Sequence, residues 1–232
     1  MTAPLLCVLL GTLFVARTPE PCFGQPERCL FAPSVSGSEV AARRGQAGPL
    51  TEPAKGRFLI AKRNVSDPNF AETVILLVTY GARGAMGIII NRPTEMRLAS
   101  ALPKIKELHG RPDRVFLGGP VAVNAMLLLI RSASRPEASE SIFADVYASG
   151  SLKTLSTALA KKGKTEQLRA YAGYAGWGPG QLEHEIDRGD WLVAPPDAVA
   201  VFDMPSADVW PKLVDRYSAE WARSEEKQVA GR

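Results

Sequence analysis

Residues 173–186, GYAGWGPGQLEHEI, concentrate the residue types that could do chemistry in this chain. Their glycines let the backbone approach another backbone or a ligand where a Cβ would clash. Pro179 suits a first helical turn, so residues 181–186 are predicted to form a short helix that ends at Gly189. A helix N-terminus attracts anions. The segment therefore predicts either a corner that binds an anion or a partner group, or a close-packed structural corner.

Glu183, His184 and Glu185 are adjacent ionisable residues in this segment. Neighbouring side chains on a helix point about 100° apart, so the three converge poorly on a metal or as an acid–base pair. A solvated acidic helix face is the simpler interpretation. A catalytic role for either glutamate would need an anion-holding group from elsewhere, for which Arg92 is the candidate.

Two more loops, NRP at residues 91–93 and GGP at residues 118–120, follow predicted strands. The guanidinium of Arg92 could bind a carboxylate or phosphate, or it could hold a neighbouring loop through backbone carbonyls. A glycine pair after a strand can form an anion-binding nest, but Pro120 removes one N–H and favours a tight structural turn. Both loops are candidate binding elements with a structural alternative.

Tyr171, Tyr174 and Trp177 lie beside the glycines of the first segment. Such rings can stack on a base or another ring, and they can equally pack in a core. The chain contains no G-x-S-x-G nucleophile elbow, no phosphate-binding P-loop and no H-E-x-x-H zinc motif. No catalytic residue is therefore assigned from a known motif.

Cysteine and histidine usage restricts the chemistry further. The cysteines Cys7, Cys22 and Cys29 all precede residue 30, which excludes thiol nucleophiles and cysteine-ligated metals from the rest of the chain. Only His109 and His184 remain for a metal site, and one histidine with carboxylates would bind a metal weakly. We therefore predict no metal and no cofactor.

Composition is that of an ordinary soluble domain, with 46% hydrophobic and 22% charged residues. The net charge is +4, and no run of lysine or arginine exceeds two residues. Basic surface supports nucleic-acid binding where it clusters, and no helix-turn-helix pattern is present. We expect a protein partner or a small anionic ligand rather than direct DNA binding, and the oligomeric state is left open.

The N-terminal apolar stretch at residues 5–15 is too short to cross a bilayer but suits a signal peptide. Cys22 and Gly24 are the small residues expected before cleavage at Gln25, although no lysine or arginine precedes the stretch. Residues 1–24 are therefore a candidate signal peptide. A genuine signal predicts an exported, periplasmic protein, and a misassigned start predicts a cytoplasmic one.

Three further regions follow from composition. Residues 25–54 are rich in proline, glycine, serine, alanine and arginine, which predicts a flexible linker. The folded domain is expected over residues 55–222, and residues 223–232 are expected to fray.

Apolar runs between turn residues predict a strand-rich domain. The predicted strands are 57–61, 73–80, 85–91, 114–117, 126–131, 142–148, 169–174, 191–194 and 199–202. Residues 73–80 suit a strand buried on both faces, and a four-residue loop at 81–84 joins it to the next strand as a hairpin.

Three further helices are predicted. Thr94 would cap one over residues 95–108, split by Pro103, a second would run from Ser151 to Lys162 and end at Gly163, and a third would span residues 208–222. Because no strand–helix–strand alternation persists, we predict one α+β domain with a mixed, largely antiparallel sheet.

Seven segments, in order and spacing, resemble the AlgH/YqgE family over about residues 55–222. They are GRFLIA before Lys62, DPNF (67–70), TVILLV (73–78), GAMGIIINRP (84–93), FLGGPV (116–121), GYAGWGPGQLEHEI (173–186) and WLVAPP (191–196). The resemblance implies a compact fold with a bent, mixed sheet and flanking helices. It brings a label of transcriptional regulator, linked to alginate control in bacteria, but no catalytic mechanism and no cofactor.

The shared motifs supply the candidate binding residues, which are Asn91, Arg92, Gly118, Gly119, Tyr174, Trp177, Gln181 and Glu185. Our first hypothesis is a non-enzymatic binding or regulatory domain that uses the Gly173–Glu185 corner. The alternative is a hydrolase or transferase in which Glu183 or Glu185 acts as the base and Arg92 holds an anionic group.

Overall fold

The computed structural model describes residues 52–160 and 167–230, with side chains up to Trp221. Within these residues ten strands form one sheet. The strands are β1 (Phe58–Ala61), β2 (Val74–Gly81), β3 (Gly84–Ile89), β4 (Pro93–Arg97), β5 (Arg114–Leu117), β6 (Val121–Arg131), β7 (Glu140–Phe143), β8 (Val146–Ser149), β9 (Gln167–Trp177) and β10 (Trp191–Ala194). The helices are α1 (Leu98–Ala101), α2 (Leu152–Ala160), α3 (Gln181–Arg188), α4 (Ala198–Phe202) and α5 (Ser206–Ala230), with a 3₁₀ turn at Lys106–Leu108.

The sheet is organised around β9. Its order is β10-β1-β2-β3-β9-β6-β8-β7, with β5 also pairing with β9 and β4 pairing with β5. The β5–β9 pair is parallel, and the other pairs within the described residues are antiparallel. The predicted α+β class, with a mixed, largely antiparallel sheet and flanking helices, is confirmed.

Apolar side chains pack on both faces of the sheet in three clusters. On one face, α4 and α5 cover a cluster that includes Tyr171 and Trp210. On the other face, α3 covers a cluster around Trp177, and α1 with α2 covers another around Leu155. Residues 74–78 of β2 are all buried and contribute to clusters on both faces, as the sequence predicted. Thr79 and Tyr80, which the same prediction included, are exposed.

The helix predicted over residues 95–108 is wrong. Residues 93–97 form β4 and the following helix is the short α1, so Thr94 lies in a strand and is not a helix cap. Its hydroxyl donates to the Val115 carbonyl at 2.7 Å and accepts from the Met96 N–H at 3.2 Å. Helix propensity is a weak preference, and antiparallel pairing with β5 overrides it here.

Three smaller predictions are also corrected. Residues 142–148 are not a single strand: they contain the end of β7, a turn in which Ala144 has a φ of 43°, and the start of β8. Residues 199–202 lie in α4, where the Asp197 carboxylate accepts from the Val199 N–H at 2.8 Å as an N-cap. Gly81 pairs with Gly84, so the hairpin loop has two residues rather than four.

The C-terminal helix α5 begins at Ser206 and continues past the predicted end to Ala230. No helix of the described residues is long and apolar enough to span a membrane. The predicted signal peptide, most of the predicted linker and the predicted helix end at Gly163 lie outside the described residues.

Candidate functional site

The Arg92 side chain holds the loop of residues 67–72 by donating hydrogen bonds to backbone carbonyls of that loop. The guanidinium donates to the carbonyls of Asn69 at 2.8 Å, Pro68 at 3.0 Å and Ala71 at 3.0 Å. Burial lowers the pKa of Arg92, and the charge of Asp67 opposes that shift. Arg92 therefore matches the structural alternative given for it, in which it holds a neighbouring loop, and its N–H groups point at carbonyls of the protein.

Asn91 secures the other end of the same loop. Its side-chain Nδ2 donates to the Glu72 carbonyl at 3.0 Å, and its Oδ1 accepts from the Val74 N–H at 2.9 Å. The Thr73 hydroxyl donates to the Phe70 carbonyl at 2.7 Å. Both polar ends of the Asn91 amide are thus used within the protein.

The loop presents Phe70 to two tryptophans, and we call Phe70, Trp177, Trp191 and Glu185 the tryptophan cluster. The Phe70 ring centroid lies 6.4 Å from that of Trp177 and 5.8 Å from that of Trp191. Both indole N–H groups donate to Glu185 Oε2, at 2.8 and 2.9 Å. A carboxylate between two indole donors pairs all three polar groups within the protein.

Gln181 completes this arrangement at the start of α3. Its Nε2 donates to Glu185 Oε1 at 3.0 Å, and its Oε1 accepts from the Gly178 N–H at 3.1 Å. Pro179 lies in the turn before the helix rather than in its first turn. Gly189 ends α3 in the left-handed conformation, as predicted. The Gln181 side chain therefore links Glu185 to the turn that precedes α3, and the N-cap residue Gly180 makes no side-chain cap.

The three ionisable residues at 183–185 face three different partners, as their helical spacing predicted. Glu183 accepts from the Tyr80 hydroxyl at 2.6 Å, which raises the pKa of Tyr80 to about 12. His184 Nδ1 lies 2.6 Å from the Gly180 carbonyl, and Glu185 belongs to the tryptophan cluster. None of the three contacts described here involves Arg92.

Gly118 and Gly119 lie where the chain crosses β9. The same β9 residues pair with both β5 and β6, so these strands flank opposite edges and their connection passes over the β9 backbone. A Cβ on Gly119 would overlap the Tyr174 backbone, and one on Gly173 (φ 73°) would overlap the Gly119 carbonyl. The Gly118 N–H donates to the Ala172 carbonyl at 2.7 Å. These glycines allow two backbones to touch.

The side of the Gly173–Glu185 corner that faces away from the tryptophan cluster carries a row of residues that we call the outer row. It consists of Thr79, Met86, Gly176, Tyr174 and Val121. Cross-strand pairing places Thr79 beside Met86 and Met86 beside Gly176. Val121 pairs with Tyr174, and the Tyr174 ring lies next to Gly176. Thr79, Gly176 and Val121 are exposed, whereas Met86 and Tyr174 are half-buried. The row is an uncharged strip of sheet that helices leave partly open.

A bulge in β6 extends this strip. The ladder with β9 is interrupted between Val121 and Met126, and residues 121–125 are all exposed. Val123 is 51% exposed, and Ala122 has a φ of 48°. No charged residue occurs from 115 to 130. The bulge is therefore an uncharged protrusion at the end of the outer row, in which Asn124 is polar.

A cavity of about 90 Å³ lies elsewhere, between α2 and the loop that precedes β7. Its walls contain none of the candidate binding residues and none of the ionisable residues at 183–185; they are Arg135, Pro136, Glu137, Ala138, Lys153, Thr154, Thr157 and Ala158. Across the described parts of the chain, no three His, Cys, Asp or Glu side chains group as metal ligands.

The sequence profile of the AlgH-like family matches residues 58–222, a range that contains both sides of the corner. The chain belongs to the AlgH-like family. A UPF0301 protein of Mycobacterium bovis is 34% identical to this AlgH-like protein over 186 residues, covering 76% of this chain and 84% of the relative. One from Laribacter hongkongensis is 38% identical over 155 residues, covering 65% and 83%.

Two solved structures resemble this AlgH-like protein. A Corynebacterium diphtheriae protein superposes with a TM-score of 0.62 at 25% identity, covering 71% of this chain and 87% of that one. The solution structure of AlgH from Pseudomonas aeruginosa gives a TM-score of 0.55 at 35% identity, covering 73% and 87%. The resemblance stated from the motifs is therefore confirmed, and none of these names states an activity.

Sequence reasoning missed several residues of both sides of the corner. Phe70 and Trp191 lie within the DPNF and WLVAPP segments, yet nothing local pairs them with Trp177. Met86 was predicted only as an ordinary strand residue, and Val121 fell outside the predicted strands although β6 begins there. The uncharged run from 115 to 130 was the available signal, because part of it had to be exposed beyond its strands.

Proposed function

We propose that this protein is a non-enzymatic binding domain that recognises a protein partner through the outer row and the adjoining bulge. The proposal keeps the Gly173–Glu185 corner as the site but moves the contact surface to its outer side. The observation that carries it is the uncharged, partly open strip of sheet that ends in the exposed Val123.

The hydrogen bonding of the candidate polar side chains supports a contact surface on the outer side rather than at those side chains. Asn91, Arg92, Gln181 and Glu185 all hydrogen-bond within the protein, so a ligand that used them would first have to break those bonds. Tyr174 instead stands at a half-exposed position beside an open glycine. The outer side can thus bind a partner without breaking the hydrogen bonds of Asn91, Arg92, Gln181 and Glu185.

The chemistry of the strip favours a protein over a small anion. An anion needs a positive charge or free N–H groups, and the five side-chain positions of the outer row offer neither. Exposed apolar surface with a polar tip, as Tyr174 provides, is typical of protein contact surfaces. The left-handed Ala122 is the kind of local strain that often accompanies a binding loop.

The enzymatic alternative has no observation in its favour. Arg92 is directed at three carbonyls, Glu183 at Tyr80 and Glu185 at two indoles. Acid–base chemistry needs a group that can reach substrate. The regulator label would be compatible with our proposal if the domain acts through a protein partner.

The test is site-specific photo-crosslinking in cells with p-benzoylphenylalanine at position 123. The matched control carries the same probe at position 199, because Val199 is 48% exposed on α4 and lies outside the strip. We expect a discrete crosslinked product from position 123 and none from 199. Both periplasmic and cytoplasmic fractions should be searched, since export is a prediction.

A second variant tests whether the strip itself makes the contact. Val121→Asp in the position-123 probe protein should reduce the product at least tenfold without changing the amount of folded protein, because Val121 is 40% exposed. Equal products from positions 123 and 199, or no product from 123, would contradict the proposal.

A further inference from the structure

The connection between β4 and β5 carries three cations that have no ion-pair partner within the described residues. They are Arg97, Lys104 and Lys106, which are all exposed, and no acidic residue occurs from 96 to 106. The apolar residues of the same stretch pack against the cluster around Leu155, which leaves the cations on the solvent side. We call these three residues the basic segment.

The carboxylates close to the basic segment along the chain do not neutralise it. Glu95 pairs with Arg114 at 2.6 Å, and Asp113 pairs with Arg111 at 2.6 Å. Glu107, which follows the segment directly, offsets one of its three charges. A net positive surface therefore remains, and it attracts an opposite charge over about 10 Å at about 0.1 M salt.

Helix α3 presents charge of the opposite sign. Its apolar side is buried, whereas Glu183 and Asp187 lie one turn apart on its polar side. Like charges at this spacing repel, and Asp187 also lies in the last turn, where the helix dipole is negative. Asp187 has no ion-pair partner in the part of the chain that the structure describes, because Arg188 pairs with Asp190. A cation from another molecule would relieve both repulsions.

The two charged surfaces lie on the same face of the sheet. The basic segment lies over the cluster around Leu155, and α3 lies over the cluster around Trp177. If two copies met through this face about a two-fold axis, each basic segment would face α3 of the other copy, and the contact would be made twice. Residues 52–160 and 167–221 contain equal numbers of basic and acidic residues, so net charge does not oppose this approach.

We propose that two copies of this chain associate through this face, with the basic segment of each copy against Glu183 and Asp187 of the other. A nucleic acid would meet the acidic α3 on the same face and be repelled, whereas a second copy satisfies both surfaces. The outer row lies on the opposite face, where Met86 and Tyr174 pack, so this inference does not depend on the proposed function. Exposed charge pairs give specificity more than affinity, and we therefore expect a micromolar Kd.

The test is sedimentation velocity of the full chain at about 30 mM and about 500 mM NaCl, which changes the screening length severalfold. At chain concentrations up to about 0.1 mM we expect a dimer in low salt and a monomer in high salt. The double variant Lys104→Glu, Lys106→Glu should raise the Kd at least about tenfold, and so should Asp187→Lys. An equal mixture of these two variants should dimerise again, because each now matches the other.

The double variant Lys212→Glu, Arg216→Glu is the control, because it makes the same change of charge on α5, which covers the opposite face. It should leave the dimer unchanged. A chain that is monomeric at both salt concentrations would overturn the proposal. So would a dimer that neither salt nor the variants weaken, since its contact would lie elsewhere, and so would a mixture of the two variants that stays monomeric.

Discussion

The two sides of the Gly173–Glu185 corner both include residues of β9, yet they differ in burial and in polar chemistry. On the inner side, Trp177 and Glu185 are enclosed by Phe70 and Trp191, and the indole and carboxylate groups are paired. On the outer side, Tyr174 stands among glycine and apolar residues that remain partly open.

This difference shows how residues that look functional divide into two kinds. A polar side chain that is fully bonded within the protein holds the fold, because using it for a ligand first costs those bonds. An uncharged surface that helices leave partly open can instead gain by contact with a partner. The chemically varied motif residues therefore support the fold of this corner, and in our proposal ordinary strand residues form its contact surface.

Replacing Trp177 with alanine should have the largest effect on the molecule. The change removes a buried ring and leaves Glu185 with one indole donor fewer, so the free energy of unfolding should fall by about 3–5 kcal/mol. Urea denaturation measures this loss. Trp177→Phe is the control, because it keeps an aromatic ring and loses the N–H donor.

A Trp177→Ala protein that keeps its stability but loses binding would exchange the roles of the inner and outer sides. If Trp177→Ala were as stable as the wild type but lost the crosslinked product at position 123, the inner side would be the contact surface. The first hypothesis from the sequence would then hold in its original form.

Arg92→Ala should have the next largest effect, and it should be local. Three carbonyls of the 67–72 loop lose their donor, so we expect a loss of about 2 kcal/mol and faster amide exchange in that loop. Hydrogen exchange detected by mass spectrometry measures it. Arg83→Ala, in the exposed two-residue hairpin loop, should change neither quantity; an Arg92→Ala loop that exchanges as slowly as the wild type would show that the arginine holds nothing.

The Tyr80–Glu183 pair predicts a smaller, pH-dependent effect. The pKa of Tyr80 rises from 10.0 to about 12, so its contribution to stability is present below pH 10 and is lost as the pH rises to 12. Absorbance titration of wild type against Tyr80→Phe should isolate this tyrosine. Glu183→Gln should return its pKa towards 10, and an unchanged value would mean that the bond is absent in solution.

The smallest effect on stability is expected on the outer side. Val123→Asp should change the free energy of unfolding by less than about 0.5 kcal/mol, because the side chain is mostly exposed. With the photo-crosslinker moved to position 121, the same variant should lose the partner. A loss of stability like that of Trp177→Ala would mean that the two sides are a single packed unit.

Local sequence patterns determined the elements that depend on neighbouring residues. The strands at Arg114–Leu117 and Trp191–Ala194 lie at the predicted bounds, because each is an apolar run between turn-forming residues. The end of α3 at Gly189 follows from the left-handed conformation that glycine adopts easily. The family segments likewise identified the AlgH-like family from the sequence.

Tertiary structure decided everything that depends on distant residues. Residues 93–97 are a strand because β5 lies beside them, and Arg92 holds a loop more than twenty residues earlier in the chain. Glu185 is a structural carboxylate because folding brings Trp177 and Trp191 to it from either side of α3. The periodicity of buried residues is a local property of the sequence, whereas the hydrogen-bond partner of each polar group is set only when the chain folds.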